Sequence, residues 1–474
     1  MKSLFILALL ISLAIVSSCD SNPQNGEAPS TGANNTPEAG IPAPDVDWEI
    51  YNGYADIFVT ALAGGNFDTA ISMFDETMAQ LIGESELQEL WNDIVFRAGE
   101  FISIHETVNS IVDGYYLCDV TSRHEKTGVT LGIVFSEDSL IAGLFIRDYP
   151  VIADSGSNNT QTVQRDGFTD IPVIIGEGTE FPLNGILTMP DNATGPVPAA
   201  VIVHGSGPQD MDLTIFGNKP YRDIAERLAA NGIAVIRYNK RTLTYGAKID
   251  GSWTVMEETI EDAILAAGLL KADPRIDAER VFIIGHSLGG MLAPRIHAGG
   301  GDFAGMIILA GSPRFLLDIS KDQNILYINE TMEGDDWSAA MAQIEELWDV
   351  QVAALVSLPD GTAKSTLVEA GMSAYYFKDL YNNPAYAILE GITIPILILQ
   401  GDMDSTVQAD IDFIMYKQLL NDRTNVDFKL YEGLNHLFMP SSIWGITRQT
   451  EDYAVEGLVD GLVLADIVNW IIQQ

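Results

Sequence analysis

The run Val281-Phe282-Ile283-Ile284-Gly285-His286-Ser287-Leu288-Gly289-Gly290-Met291-Leu292 restricts this chain more than any other stretch. Four apolar residues in a row read as a short strand buried on both faces, as in a parallel sheet. Gly285, Gly289 and Gly290 then crowd a sharp turn, and a helical pattern follows. Parallel strands need crossovers, so a strand that feeds directly into a helix calls for a layered α/β architecture. Ser287 stands at the turn, with glycine two residues to either side.

The chain around this stretch keeps the same rhythm. Two antiparallel strands are expected over 169–175 and 181–189. Strands at 199–203, 233–238, 281–285, 303–310, 396–400 and 426–431 then alternate with helices at 221–230, 257–271, 288–298 and 411–420. A single amphipathic helix over 452–472 closes the chain. The alternation predicts a doubly wound, mostly parallel sheet over residues 165–474. One interval breaks it. Residues 313–390 are far more chain than one crossover needs, and helical spacing at 337–355 with the cluster Tyr375-Tyr376-Phe377 predicts an inserted helical cap.

A serine hydroxyl is a weak nucleophile until a base lies within hydrogen-bond reach and a third group orients that base. The pattern Gly285-x-Ser287-x-Gly289, between a strand and a helix, resembles the nucleophile elbow of α/β-hydrolases. In that family the acid and then the base follow the serine in chain order. Of the six histidines, only His436 follows the last strand, in Glu432-Gly433-Leu434-Asn435-His436. His105 and His124 lie before the sheet begins, His204 precedes the serine, His286 is inside the turn, and His297 is at the far end of its helix. Gly401-Asp402-Met403-Asp404-Ser405-Thr406-Val407 looks like the family's acid loop. The match selects Asp404 as the acid, with Asp402 as a turn residue bonded to local backbone.

Two backbone N–H donors are needed for the oxyanion. Leu288 supplies one by its place after the nucleophile. The loop His204-Gly205-Ser206-Gly207-Pro208 offers the other, with Ser206 preferred and Gly207 second. Together with Gln209-Asp210-Met211-Asp212, Asn218-Lys219, Arg222-Asp223-Ile224-Ala225 and Ile236-Arg237-Tyr238-Asn239-Lys240-Arg241, this loop resembles a group of secreted bacterial carboxylesterases. Their relatives include the dienelactone-hydrolase and prolyl-oligopeptidase-like sets. Met211 and Asn239 stand where arginine and aspartate are common in that group. The resemblance implies ester hydrolysis through an acyl-enzyme on a small-molecule ester substrate, with no metal or organic cofactor. A peptidase or amidase on the same triad, transfer to an acceptor other than water, and an inactive surface binding protein are the rival readings.

The front of the chain has a different character. Residues 4–16 form an apolar run after one lysine, too short to span a bilayer comfortably, and end in Val16-Ser17-Ser18-Cys19. This resembles the lipobox of bacterial lipoproteins and implies cleavage before Cys19, lipidation of its thiol, and an exported, membrane-anchored protein. Residues 19–46, rich in Asn, Pro, Gly, Ser and Thr, read as a disordered tether. Helices expected at 50–63, 67–82 and 86–96, then strands at 101–111, 114–121, 129–135 and 140–146, predict a small α+β domain over 47–150. Its order is loosely similar to nuclear-transport-factor-like domains. A polar linker at 155–164 follows. The second cysteine, Cys118, reads as a buried apolar side chain. A net charge of −41 excludes nucleic acid as a natural partner, because phosphate binding needs clustered Lys and Arg.

Overall fold

The computed structural model describes residue 46 and residues 48–474, apart from 113–114, 126–127, 137, 149–161, 166, 192, 249–250, 367 and 369–371. Cys19, the leader and nearly all of the tether lie outside the described residues, as does most of the expected linker.

The first unit places helices Trp48–Ala63 and Glu84–Ala98 against a four-stranded antiparallel meander. Its strands are β1 (Phe101–Val112), β2 (Tyr115–His124), β3 (Gly128–Phe135) and β4 (Ile141–Asp148). Phe58, Leu62, Leu87, Ile94, Val120, Leu131 and Phe135 make its core. Cys118 is fully buried there, and burial pushes its thiol up to about 12. The helix expected over 67–82 is in fact two, Phe67–Ile71 and Glu76–Leu81. Phe74 bridges to Ile141, and Asp75 caps the second piece by accepting from the Met78 amide at 2.7 Å. Helical spacing persists across the break, but a tertiary bridge and a cap decide the boundary.

The second unit is a nine-stranded sheet. Its strands are β5 (Val163–Gln164), β6 (Phe168–Ile175), β7 (Leu183–Pro190), β8 (Val197–Val203), β9 (Ala234–Tyr238), β10 (Ile276–His286), β11 (Gly305–Leu309), β12 (Ile396–Gly401) and β13 (Val426–Tyr431). The order across the sheet is β13-β12-β11-β10-β8-β9-β7-β6-β5. Strands β9, β8, β10, β11, β12 and β13 run parallel, and β5 to β7 pair antiparallel at one edge. The sheet therefore reaches back into Val163-Gln164, the end of the stretch read as linker.

Alternation along the strands explains the two helical layers. Val201, Ile283, Ile308 and Ile398 face helices Glu261–Ala272 and Leu288–Ile296. Ile202, Phe282, Ile307 and Leu399 face helices Pro220–Ala229 and Gly461–Gln473. Full burial of each such side chain is worth about 1.5–3 kcal/mol, so neither layer is dispensable.

Between β11 and β12 the described chain is helical, including Leu316–Thr331, Gly334–Glu346 and Ala374–Asn382. Leu317, Ile344, Trp348, Phe377 and Leu380 share one continuous core with the sheet. Polar contacts tie this cap to loops at the strands' carboxyl ends. Gln323 donates to the Thr406 carbonyl at 2.9 Å, and Glu330 accepts from the Thr447 amide at 3.0 Å. The Arg314 guanidinium meets Asp412 at 2.8 Å and Asp322 at 2.6 Å.

The single closing helix expected over 452–472 is a correction. The chain forms Gln449–Tyr453 and Gly461–Gln473, with a loop between them. Asn218 holds that loop. Its amide donates to the carbonyls of Tyr453 (2.8 Å) and Val455 (3.0 Å), and its oxygen accepts from the Gly457 amide (2.9 Å). Asp460 then caps the final helix through the Leu462 amide at 2.7 Å.

Candidate active site

Ser287 follows β10 directly, with φ 55° and ψ −118°, a conformation sparsely populated by residues with a side chain. Such strain costs on the order of 1–3 kcal/mol and persists only where the surroundings enforce it. Here glycine makes the enforcement possible. A Cβ on Gly285 would lie 2.3 Å from the Gly289 carbonyl oxygen, and one on Gly289 would lie 2.3 Å from that of Val203. Strand and helix close to this distance only without side chains. The Ser287 amide donates to the Leu309 carbonyl at 2.9 Å, fixing the turn to β11. Leu288 begins the elbow helix, where the first amides have no intrahelical acceptor.

Asp404 follows β12 and is 1% exposed. Its Oδ1 accepts from the amides of Thr406 (2.8 Å) and Val407 (2.9 Å). Its Oδ2 accepts from Gln400 Nε2 (2.8 Å) and from His436 Nδ1 (2.7 Å). Every lone-pair direction of the carboxylate is thus spoken for, which offsets the cost of burying it. His436 leaves β13 on the loop Leu434–Pro440 and is 7% exposed. With Nδ1 engaged, Nε2 is the ring nitrogen left to accept a proton. Asp402 is exposed and takes the amide of Gly433 at 2.7 Å. It lies in the turn after β12, as expected, but its carboxylate bonds the start of the histidine loop rather than local backbone.

The loop after β8 runs directly over Ser287. A Cβ on Gly205 would lie 3.1 Å from Ser287 Cβ. The Gly205 amide is occupied, donating to Gln209 Oε1 (3.1 Å) and to the Tyr221 hydroxyl (3.3 Å). Gln209 Nε2 donates to the Ser206 carbonyl at 2.9 Å, which ties the loop to itself. Gly205 cannot therefore offer its N–H to a substrate, and the next amide, that of Ser206, is the first candidate along the loop. Asn239 accepts from the Met211 amide at 3.0 Å. The two positions that depart from the carboxylesterase pattern thus meet each other.

Sequence reasoning set His286 aside as a base but did not foresee its role as a brace. Its Nε2 donates to the His436 carbonyl at 2.9 Å, and its Nδ1 accepts from the Tyr221 hydroxyl at 3.1 Å. Both nitrogens are used by a neutral ring. Burial first, and the nearby His436 second, lower its pKa to about 3. His204, buried beneath the same loop, is lowered to about 3 by burial and by Lys240. Gln400, Gln209 and Tyr221 likewise position the site, and no spacing rule marks them. Among the described residues no group of three or more His, Cys, Asp or Glu side chains is arranged to hold a metal ion.

Residues 200–442 match the alpha/beta hydrolase family, and residues 55–144 match a family described as a protein of unknown function (DUF3887). Esterase EstD of Thermotoga maritima is 30% identical over 421 residues, spanning 88% of this chain and 95% of that protein. Est1E from Butyrivibrio proteoclasticus is 16% identical with a TM-score of 0.41, covering 64% of this chain and 99% of its own. An esterase from Pyrococcus furiosus is 13% identical with a TM-score of 0.39, covering 68% and 96%. The family match over more than half the chain, with the near full-length likeness to EstD, assigns the protein: it belongs to the alpha/beta hydrolase family, as a hydrolase of the carboxylesterase type.

Proposed function

We propose that this protein hydrolyses carboxylic esters of small molecules through an acyl-enzyme on Ser287. The observation that carries the reading is the buried His436–Asp404 pair, 2.7 Å apart, on the loops that follow β13 and β12. Ser287 Oγ attacks the ester carbonyl while His436 Nε2 takes its proton. The carbonyl π pair moves onto oxygen, where the amides of Ser206 and Leu288 stabilise it, each worth roughly 3–4 kcal/mol at the transition state. Collapse expels the alcohol, which leaves with the proton from His436. Water, deprotonated by the same nitrogen, then attacks the acyl carbon and releases the acid and the serine. Asp404 keeps the proton on Nδ1 and stabilises the imidazolium without accepting the proton. The resemblance to EstD, named as an esterase, supports the ester as substrate class.

The decisive experiment is hydrolysis of p-nitrophenyl butyrate by the parent and Ser287→Ala, with labelling by a fluorophosphonate probe. Loss of both activities in a folded Ser287→Ala variant is expected. Turnover at the parent's rate would sink the mechanism.

The lipobox-like Val16-Ser17-Ser18-Cys19 supports an exported protein held to a membrane through a lipid on Cys19. No helix among the described residues is long and apolar enough to cross a membrane. Expression of the full chain in a bacterium should give a membrane fraction that Cys19→Ala converts to released protein. An unchanged distribution would remove the anchor.

A further inference from the structure

The carbonyl of Gly205 accepts from Lys240 Nζ at 2.7 Å. Lys240 is 1% exposed, and its ammonium also meets Glu258 Oε1 at 2.7 Å. The other oxygen of Glu258 accepts from the Tyr376 hydroxyl at 2.6 Å. Tyr376 is buried on the helix Ala374–Asn382 of the cap. A line of buried polar contacts therefore runs from the cap to the loop over Ser287.

The peptide that Lys240 holds joins Gly205 to Ser206, and no cis bond occurs among the described residues. In a trans peptide the C=O and the following N–H lie in one plane and point in opposite directions. Fixing the Gly205 oxygen on Lys240 therefore aims the Ser206 N–H away from the buried ammonium. The Gly205 amide, pinned by Gln209 and Tyr221, prevents the preceding peptide from rotating in compensation.

We infer that Lys240 is a positioning residue for the oxyanion donor, and that Glu258 and Tyr376 make the seating of the cap part of that positioning. The inference rests on reading the Ser206 N–H as an oxyanion donor. Glu258 fixes where the ammonium sits, and the Tyr376 hydroxyl fixes Glu258. Charge balance alone would require only a carboxylate near Lys240. The bond to the Gly205 carbonyl adds direction. A hydrogen bond that orients a preorganised donor acts on the transition state more than on substrate binding.

The test compares the full chain with Lys240→Met, Lys240→Met/Glu258→Gln, Tyr376→Phe and Ser206→Pro. Each is assayed for kcat and KM on p-nitrophenyl butyrate and for inhibition by butylboronic acid, whose tetrahedral adduct places an oxygen at the oxyanion position. Losing the orientation costs less than losing a donor, so Lys240→Met should lower kcat about 10- to 100-fold, with KM changed less than threefold. The boronate inhibition constant should rise in parallel. If Lys240→Met does not fold, the charge-neutral double variant carries the same expectation. Tyr376→Phe, which deletes one oxygen, should lower kcat several-fold, and adding it to Lys240→Met should cost nothing more. The inference is overturned if the folded lysine variants keep the parent's kcat. It is equally overturned if their loss is confined to KM, or if Tyr376→Phe and Lys240→Met multiply. Ser206→Pro separates the two levels. Full activity there refutes the donor assignment itself; its collapse beside an unaffected Lys240→Met/Glu258→Gln refutes only the role of Lys240.

Discussion

Replacing Asp404 by Asn is the sharpest probe of the site, because the surroundings leave the new amide only one orientation. Oδ1 of Asp404 receives two backbone amides, from Thr406 and Val407. An Asn must keep its oxygen there, since the reverse places its NH2 against two donors. Its NH2 then faces Gln400 Nε2 and His436 Nδ1, where Oδ2 accepts at 2.8 Å and 2.7 Å. Gln400 cannot flip to help. Its Nε2 also donates to the Val407 carbonyl at 3.0 Å, so a flip would set oxygen against oxygen. His436 can respond only by giving up its Nδ1 proton and carrying it on Nε2. In the proposed mechanism that is the atom that takes the proton of Ser287, so the base would be lost.

A wrong tautomer of this kind lowers kcat by about 10⁴, or about 5.5 kcal/mol of barrier. The donor–donor contact with Gln400 should also cost about 1–3 kcal/mol of stability. The assays are kcat on p-nitrophenyl butyrate, the rate of fluorophosphonate labelling, and a thermal melt. Labelling should slow with kcat, since it needs the same proton transfer. A folded Asp404→Asn variant with kcat within tenfold of the parent would refute the reasoning, and Asp404 would no longer be the acid.

Three further outcomes follow from other parts of the molecule. Gly289→Ala forces a methyl to within 2.3 Å of the Val203 oxygen and 2.6 Å of the His204 oxygen, at the end of β8. Backbone cannot give way as a side chain can, so a loss of about 1–3 kcal/mol or more is expected in a urea melt, with kcat falling too. Asn218→Ala should loosen the 454–460 loop and cost about 1–3 kcal/mol, read as a lower melting temperature and faster proteolysis there. Acid should destabilise the fold below pH 6.5. His204 and His286 are lowered to about 3 chiefly by burial, so the unfolded chain takes up protons that the native chain refuses, and stability falls with pH between 6.5 and 3. Asp262, raised by burial to about 6, opposes this between 6 and its unfolded value. The net loss from pH 7.5 to 5 is about 3 kcal/mol from these groups, and urea melts at the two pH values measure it. A midpoint that rises on acidification would contradict the sign.

The legible part of the site was written in short spacings. Ser287 was readable because the glycines that permit its turn are neighbours in sequence: Gly285 and Gly289 crowd each other directly. The pairing of His436 with Asp404, at 2.7 Å, agrees with the chain order of a family resemblance. Strand positions followed from apolar runs, and the cap from an interval too long for a crossover. Failures came where one distant polar side chain decides. Asn218 interrupts a helical pattern more than 200 residues further on, and no local rule marks an asparagine as the reason. At the second helix of the first unit the break comes instead from backbone, through the bridge between Phe74 and Ile141. Lys240 enters the sequence only within a family-like stretch and Gln400 only as the end of a strand, and no pattern marks either as buried. Burial alone distinguishes them, and burial of a long polar side chain is not periodic.

His286 shows why the distinction matters for the chemistry. It is the titratable side chain next to the serine, and its neutrality could be read as mere burial. The hydrogen bonds give a fuller account. Its ring passes orientation from Tyr221, and so from the Gly205 amide, to the carbonyl of His436, whose side chain is held by Asp404. The loops after β8, β12 and β13 thereby meet through one neutral imidazole. A protonated His286 would present a second N–H to the Tyr221 hydroxyl and lose the acceptor that this hydroxyl bonds. Tyr221 would then turn its proton to Gln209 Oε1, 3.3 Å away, which can accept it on its second lone pair beside the Gly205 amide. Burial first, and His436 second, keep this ring neutral, and the neutral ring braces the loop over Ser287 against the loop that carries His436.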